Sequence, residues 1–212
     1  MGRKKRKKRS RKKRTNPRAS TSSQVIYLDA CIIGDYIWGD EDQHQASKKI
    51  LNKIHSTVHK NGNMIVKMSQ LAVGELINVV MFEIDNKEHP KADNYLRRHE
   101  YLRSRSLEDI KEQMIKDIIK TIKDHKIDTP PISEDIFDVI PIVREYDNGY
   151  EVKGNDLFLL AHALADKDSD VFLTTDGAII RFSKRVIDGR NVMKRICEEL
   201  DREKTLNVKG FL

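Results

Sequence analysis

The sequence predicts an α/β protein, in which a three-layer arrangement places helices on both faces of a parallel β-sheet. Three short apolar runs indicate strands that are covered on both faces: VIYL at residues 25–28, MIVKM at 64–68 and VFL at 171–173. Segments with helical spacing lie between these runs. Strands that alternate with helices are typical of a parallel sheet flanked by helices.

The helices are predicted from apolar spacing and from residues that begin a helix. Apolar residues recur every four positions over 44–60, and Ser69 is a typical N-cap for a helix over 70–84. Ser106 begins a capping box ahead of an apolar stripe that runs to residue 122. Further helices are predicted at residues 155–166 and 188–203, and from about residue 133 after a Pro-Pro break. The charged, almost wholly helical stretch 83–126 is predicted to form a helical arm on the sheet core.

The positive charge of the chain is concentrated at its N-terminus. The 212 residues include 40 Lys and Arg against 33 Asp and Glu, which gives a net charge of +7. Twelve of the basic residues lie between Arg3 and Arg18, where there is no acid; removing them leaves 28 against 33, or −5, for the rest. A like-charged run without apolar residues cannot collapse. We therefore predict a disordered basic tail at residues 1–24 and a folded domain at 25–212.

The tail predicts a nucleic-acid partner. Lysine and arginine side chains bind phosphates without regard to sequence, and Arg-rich disordered segments are common on RNA-binding proteins. The basic side chains from Arg3 to Arg18 are therefore predicted to form a phosphate-binding arm for RNA. The other interpretations of such a run are a nuclear-import signal and a segment that increases solubility.

Composition excludes several other classes of protein. The only cysteines, Cys31 and Cys197, lack the spacing of a zinc ribbon and are too few for a disulfide scaffold. No apolar run approaches the roughly 20 residues of a membrane span, and the N-terminus lacks the apolar region of a secretory signal. We expect no membrane partner and an intracellular location, which would be cytoplasmic, or nuclear in a eukaryote.

Four acidic residues are predicted to meet at one edge of the sheet. Asp29 directly follows the first strand and Asp176 closely follows the third, and the carboxyl ends of parallel strands share an edge. Glu75 lies on an apolar helix stripe, where an unpaired carboxylate is costly, and Asp156 begins an apolar helix. Each alone has an ordinary interpretation as a turn, a helix cap or an ion-pair partner. Four converging carboxylates would repel one another unless a cation such as Mg²⁺ or Mn²⁺ lay between them.

The segments that carry these acids resemble the PIN-domain nucleases. VIYLDAC, SQLAVGEL, GNDLFLLAHAL and VFLTTDGAI follow in the order and spacing of that family, over about residues 25–185. The resemblance implies a PIN-like fold with acids at the carboxyl edge of a parallel sheet. It assigns Asp29, Glu75, Asp156 and Asp176 to the four acidic positions, which would bind the metal. It also assigns Thr174 to a hydroxyl position; the ordinary interpretation of Thr174 is a strand-end residue that bonds its own backbone.

The resemblance implies a metal-dependent ribonuclease. We expect an Mg²⁺- or Mn²⁺-dependent RNA endonuclease in RNA processing or decay. Two alternatives are a weak or inactive PIN-like protein that binds RNA or ribosomes, and a toxin ribonuclease of a toxin–antitoxin pair. Cys31 favours the weaker enzyme, because the family often has Ser, Thr or Asn there. A homodimer is possible through the helices at 44–60 and 106–125, and His162 is interpreted as a packed, hydrogen-bonded helix residue rather than a ligand.

Overall fold

The computed structural model describes residues 23–61, 63–147 and 151–210 of the chain. Residues 1–22, nearly all of the predicted basic tail, lie outside this described part. The strands, in chain order, are β1 (Gln24–Leu28), β2 (Met64–Lys67), β3 (Ile127–Asp128), β4 (Ser169–Thr174), β5 (Val186–Ile187), β6 (Arg190–Asn191) and β7 (Asn207–Gly210). Within the described residues the main sheet has five parallel strands in the order β3-β2-β1-β4-β7, and β5 and β6 form a separate antiparallel hairpin.

Helices surround this sheet, which confirms the predicted α/β fold. They are α1 (Ala30–Trp38), α2 (Glu41–Asn61), α3 (Gln70–Asn78), α4 (Pro90–Arg98), α5 (Leu107–Asp124), α6 (Ile136–Tyr146), α7 (Gly154–Ala165), α8 (Gly177–Lys184) and α9 (Val192–Glu199). A π-helical segment, Val79–Glu83, continues α3, and a short 3₁₀ turn, Glu100–Leu102, follows α4. None of the helices in the described ranges combines the length and the apolar character that crossing a bilayer requires.

The central strand β1 determines where the acids lie. Its residues from Val25 to Leu28 are buried, because β2 and β4 pair on either side and helices cover both faces. In the parallel register Leu28 lies beside Leu173 of β4, and the backbone N–H of Asp29 donates to the Leu173 carbonyl over 2.9 Å. Asp29 and Thr174, the next residues along the two strands, therefore emerge side by side at the carboxyl edge of the sheet.

The stretch 83–126 folds back onto this core. It contains α4, the 3₁₀ turn and α5, and both helices contact α1. The side chains of Tyr95, Leu96, Met114 and Ile118 are buried in the same hydrophobic cluster as the strands. The apolar stripe predicted from the sequence of α5 is thus buried in the core, where α5 contacts α1, β3 and the π-helical segment.

The prediction of a helix over 188–203 was wrong at both ends, because the helix found there, α9, spans only Val192–Glu199. Asp188 and Gly189 have φ angles of 49° and 74° and form the turn of the β5–β6 hairpin, which a helix cannot contain. The side chain of Asn191 then accepts hydrogen bonds from the N–H groups of Met193 and Lys194 and begins α9.

Candidate metal centre

An acidic cleft opens at the carboxyl edge of the sheet. Its volume is about 410 Å³, and α1, α3, α7 and the start of α8 contribute to its walls. Its carboxylate residues are Asp29, Asp35, Glu75, Asp156 and Asp176. The structure therefore brings the four acids named from the sequence to one cleft and adds a fifth, Asp35.

Asp29 is the most buried of these acids, with 3% of its surface exposed. Its Oδ2 accepts hydrogen bonds from the Thr174 hydroxyl at 2.5 Å and from the Cys31 thiol at 3.1 Å. Burial raises the pKa of Asp29, and these two hydrogen bonds oppose the rise because they stabilise the carboxylate. Neutral donors thus hold the orientation of Asp29 without neutralising its charge.

Thr174 and Cys31 also fix the loop that leads to Asp176. The Thr174 oxygen accepts a hydrogen bond from the Asp176 N–H at 2.8 Å, and the Cys31 sulfur accepts one from the Thr175 N–H at 3.1 Å. Cys31 therefore both donates to Asp29 and accepts from the loop, as a hydroxyl group in its place would. The thiol is a weaker donor than a hydroxyl, but it preserves the pattern of hydrogen bonds.

Asp176 is the N-cap of α8. Its Oδ1 accepts from the N–H groups of Ala178 and Ile179 at 2.7 and 2.8 Å. The capping interpretation is therefore correct for this residue, yet the same side chain also lines the cleft. Capping fixes the position of the carboxylate, because both of these bonds are made by one of its two oxygens.

Glu75, on α3, and Asp156, on α7, both lie near the negative charge of Asp29. Burial, together with the charges of Asp29 and Asp156, raises the pKa of Glu75 to about 7. Burial, followed by the charges of Asp176 and Asp29, raises the pKa of Asp156 to about 6. The Oε2 atom of Glu75 is buried and has no hydrogen-bond partner among the described residues. The sequence argument required a partner for Glu75, and the chain as described does not supply one.

Among the described residues, the one lysine that lines the cleft is already paired. Lys91 forms an ion pair of 2.6 Å with Glu83, outside the set of cleft acids. A buried carboxylate oxygen without a partner, beside like charges that raise its pKa, fits a site for a hard divalent cation. In residues 23–61, 63–147 and 151–210, no three carboxylate, thiol or imidazole groups lie close enough together to form a metal-ligand set.

Asp35 was missed in the sequence because α1 was missed. It lies on α1, one turn after Cys31, and it accepts a hydrogen bond of 3.1 Å from the Thr175 hydroxyl. Burial raises its pKa, and the charges of Asp40 and Asp29 add to the rise. The sequence did carry a signal for Asp35. It lies four residues after Cys31, and residues four apart share a face of a helix, but this spacing is informative only once the segment is known to be helical.

His162 lies outside the cleft. It is buried on α7, its Nδ1 lies 2.8 Å from the hydroxyl of Ser69, and its ring packs against that of Tyr27. Its interpretation as a packed, hydrogen-bonded helix residue is confirmed. Because Ser69 is the N-cap of α3, this contact joins α7 to the start of the helix that carries Glu75.

The fold and the acidic cleft define a class of protein: an α/β domain with a carboxylate site at the carboxyl edge of a parallel sheet. The family model of the PIN domain matches residues 26–185, and the chain belongs to that family, whose members are generally nucleases.

Among solved structures, the chain is similar to a chain in the crystal structure of VapBC2 from Rickettsia felis, which was solved bound to a DNA fragment from the VapBC2 promoter. The match has a TM-score of 0.52 and 15% sequence identity, and it covers 89% of this chain and 100% of that chain. At that identity the likeness supports the fold alone. A comparison with curated proteins found no match.

Proposed function

We propose that this protein is a metal-dependent RNA endonuclease. The observation that carries the proposal is the acidic cleft, in which burial and the charges of neighbouring acids raise the pKa values of Asp29, Glu75 and Asp156, and Glu75 has a buried oxygen without a partner. A stable fold rarely buries several carboxylates without a compensating charge unless they bind a cation.

The four acids would hold Mg²⁺ or Mn²⁺, since oxygen ligands suit hard cations and no imidazole lines the cleft among the described residues. A bound divalent ion supplies Lewis-acid activation of a water nucleophile for phosphodiester hydrolysis. The protein contributes orientation: Thr174 and Cys31 donate hydrogen bonds to Asp29, and the N-terminus of α8 fixes Asp176. Thr174 is thus a positioning residue in this proposal.

RNA is the proposed substrate because of the unequal distribution of charge. The chain outside residues 1–18 carries −5, so an acidic core would not attract a polyanion by itself. The twelve basic residues from Arg3 to Arg18, outside the described residues, would supply that attraction by releasing counterions from the phosphates. Binding and hydrolysis would therefore depend on different parts of the chain.

The test is incubation of the full chain with total RNA, with Mg²⁺ and with EDTA, followed by mapping of new 5′ ends. We expect new 5′-phosphate ends that EDTA abolishes, and a loss of about 10²- to 10³-fold in cleavage rate for Asp156→Asn, by analogy with removal of a key electrostatic group. Asp138→Asn is the matched control, because Asp138 is also a first-turn helix acid but is exposed and lies outside the cleft. Equal cleavage by the two variants would disprove the site.

A second candidate, a toxin ribonuclease, is favoured only by the likeness to a chain of VapBC2. It would use the same cleft under different control. Expression in a host without neighbouring genes separates the two: growth arrest that a neighbouring gene product relieves supports the toxin, and normal growth supports a role in RNA processing. The non-catalytic alternative predicts RNA binding without saturable Mg²⁺ or Mn²⁺ binding in a calorimetric titration.

The proposed partners are RNA and a second copy of the chain. The predicted homodimer through α2 and α5 remains a prediction, and light scattering on the purified protein measures it directly.

A further inference from the structure

A second cavity lies on the other side of α1 from the acidic cleft. Asp35 and Trp38 line the cleft, whereas the residues between them, Tyr36 and Ile37, line the second cavity. Its volume is about 390 Å³, and α1, α2, α4 and α5 form its walls. The two sites are therefore separated only by the width of one helix. We call this cavity the ring pocket, after the aromatic and imidazole rings described next.

Rings from four helices meet at the ring pocket. Tyr36 and His44 are stacked with centroids 5.1 Å apart and ring planes at 14°, and Tyr95 and His99 are stacked at 4.3 Å and 28°. His125, at the end of α5, also lines the pocket. Outside the pocket, Tyr101 meets the edge of the His99 ring at 6.1 Å, and 70% of its surface is exposed. The rings of Tyr95, His99 and Tyr101 thus form a row from the interior to the surface.

The charges of the ring pocket nearly cancel. Arg98 and Lys120 face Asp117 and Asp124, so the pocket has no excess of positive charge for a phosphate. Arg98 also donates hydrogen bonds to the carbonyl oxygens of Gly39 and Ile37, at 3.0 and 2.8 Å. Its guanidinium group is therefore already engaged in closing the end of α1.

The imidazoles of the pocket are suited to a neutral ligand. Burial lowers the pKa of both His44 and His99, which keeps the rings uncharged at neutral pH. The Nδ1 of His44 lies 2.6 Å from the Tyr36 carbonyl and must donate to it, because a carbonyl oxygen only accepts. Its Nε2 is then an acceptor in the neutral ring, suited to an exocyclic amino group.

We propose that the ring pocket binds a nucleobase of the RNA strand that is cut in the acidic cleft. Flat rings, balanced charge and an acceptor nitrogen are the features that recognise an unpaired base, which stacks on aromatic side chains and bonds through its edge. This inference rests on the proposed function and deepens it: the substrate is single-stranded, since a paired base cannot enter a pocket of this kind.

The test measures binding without cleavage. A fluorescent single-stranded oligoribonucleotide of about ten residues, and an abasic one of equal length, are titrated into full-length Asp156→Asn protein. Salt of about 0.5 M suppresses the contribution of the basic tail to binding. We expect Tyr36→Ala and His99→Ala, two changes in rings that line the pocket, to weaken binding of the base-containing strand by about fivefold or more, the loss that stacking of one base predicts. Neither change should alter binding of the abasic strand.

Phe137→Ala is the matched control, because Phe137 is a ring that is 62% exposed on α6 and lies outside the pocket. It should bind both strands as the parent does. His99→Phe keeps the ring and should recover most of the affinity, and Tyr36→Ala, on a different helix, keeps the test valid if His99→Ala fails to fold. Parent-like binding by Tyr36→Ala, or an equal loss for the abasic strand, overturns the base pocket.

The two proposals fail separately in these experiments. If the wild-type chain cleaves RNA in Mg²⁺ while Tyr36→Ala binds and cuts like the parent, only the ring pocket is disproved. If the chain does not cleave RNA, the proposed function fails whatever the binding titration shows.

Discussion

The acidic cleft and the corner around Asp147 both bury carboxylates, but only one of them neutralises the charge. Asp147 ends α6, and its side chain has no exposed surface. It accepts hydrogen bonds from the N–H groups of Glu151 and Val152 at 3.0 and 3.1 Å, and it pairs with Arg144 at 3.2 Å and Arg185 at 3.7 Å. Every part of this carboxylate faces a donor or a cation.

The acids of the cleft have no such compensation. Within the described residues, none of them forms an ion pair with Lys or Arg. Asp29 is bonded only by uncharged groups, and Glu75 has an oxygen without a partner. The comparison teaches that burial of an acid does not identify a functional site. Burial without neutralisation indicates one where several acids share a cleft, because their mutual repulsion is a cost that a bound cation relieves.

The largest expected effect on stability is at the Asp147 corner. Asp147→Ala removes the acceptor of two N–H groups and leaves the charge of Arg185, whose Nη1 is already buried without a hydrogen bond, uncompensated. Breaking a buried pair in this way costs about 3–5 kcal/mol of unfolding free energy. Urea denaturation measures the loss, and Asp138→Ala, an exposed acid, should change it by no more than about 0.5 kcal/mol. A loss below about 1 kcal/mol would show that the corner is not a structural ion pair.

The acids of the cleft should make the protein less stable as pH rises. The pKa of Glu75 rises from 4.5 to about 7 on folding, and that of Asp156 from 3.8 to about 6. Between these values the folded chain binds more protons than the unfolded chain, so stability falls as pH rises from about 4 to 7. Thermal unfolding in EDTA at pH 5 and pH 7.5 should give a lower Tm at the higher pH, through this contribution.

Glu75→Gln isolates that contribution. It should reduce the fall in Tm, whereas Glu108→Gln, which replaces an exposed first-turn glutamate of α5, should leave it unchanged. Saturating Mg²⁺ or Mn²⁺ should also reduce the fall, because a bound cation stabilises the ionised carboxylates. A difference in Tm that neither Glu75→Gln nor the metal alters would mean that these acids are not coupled in a binding site.

Much of this site could be predicted from the sequence because its frame is a parallel sheet. The apolar runs before Asp29 and Asp176 fix two strand ends, and parallel strands share an edge. Helix α1 could not be predicted in the same way. Its sequence ACIIGDYIW is buried on most sides and lacks the polar stripe that reveals a surface helix, so Asp35 was missed with it.

Two other features were not predicted, for different reasons. The turn at Asp188 and Gly189 carries an Asp-Gly hairpin signal, but the apolar spacing that follows it was extended too far towards the N-terminus. The ring pocket combines residues from four helices, and the stacking of Tyr36 on His44 depends on how α1 packs against α2. Such a contact between two helices leaves no pattern in the sequence of either one.

The smallest expected effect tests how far a thiol substitutes for a hydroxyl in the cleft. Cys31→Ser keeps the hydrogen bond to Asp29 and replaces a weak donor at 3.1 Å by a stronger one. Because a carboxylate that accepts a stronger hydrogen bond is better oriented and more easily ionised, we expect cleavage to rise by about two- to fivefold, and Mn²⁺ to bind more tightly by a similar factor. Single-turnover rates and calorimetric titration of Mn²⁺ measure the two changes.

Cys197→Ser is the matched control, since Cys197 is buried on α9, accepts from the Leu206 N–H and lies outside the cleft. It should lower stability through the polar group it buries, while the cleavage rate and the Mn²⁺ affinity stay those of the parent. If Cys31→Ser is slower than the parent and binds Mn²⁺ less tightly, the sulfur itself contributes to the site. The cleft would then differ in kind from one built on oxygen alone, and Cys31 would no longer be a weaker copy of a hydroxyl residue.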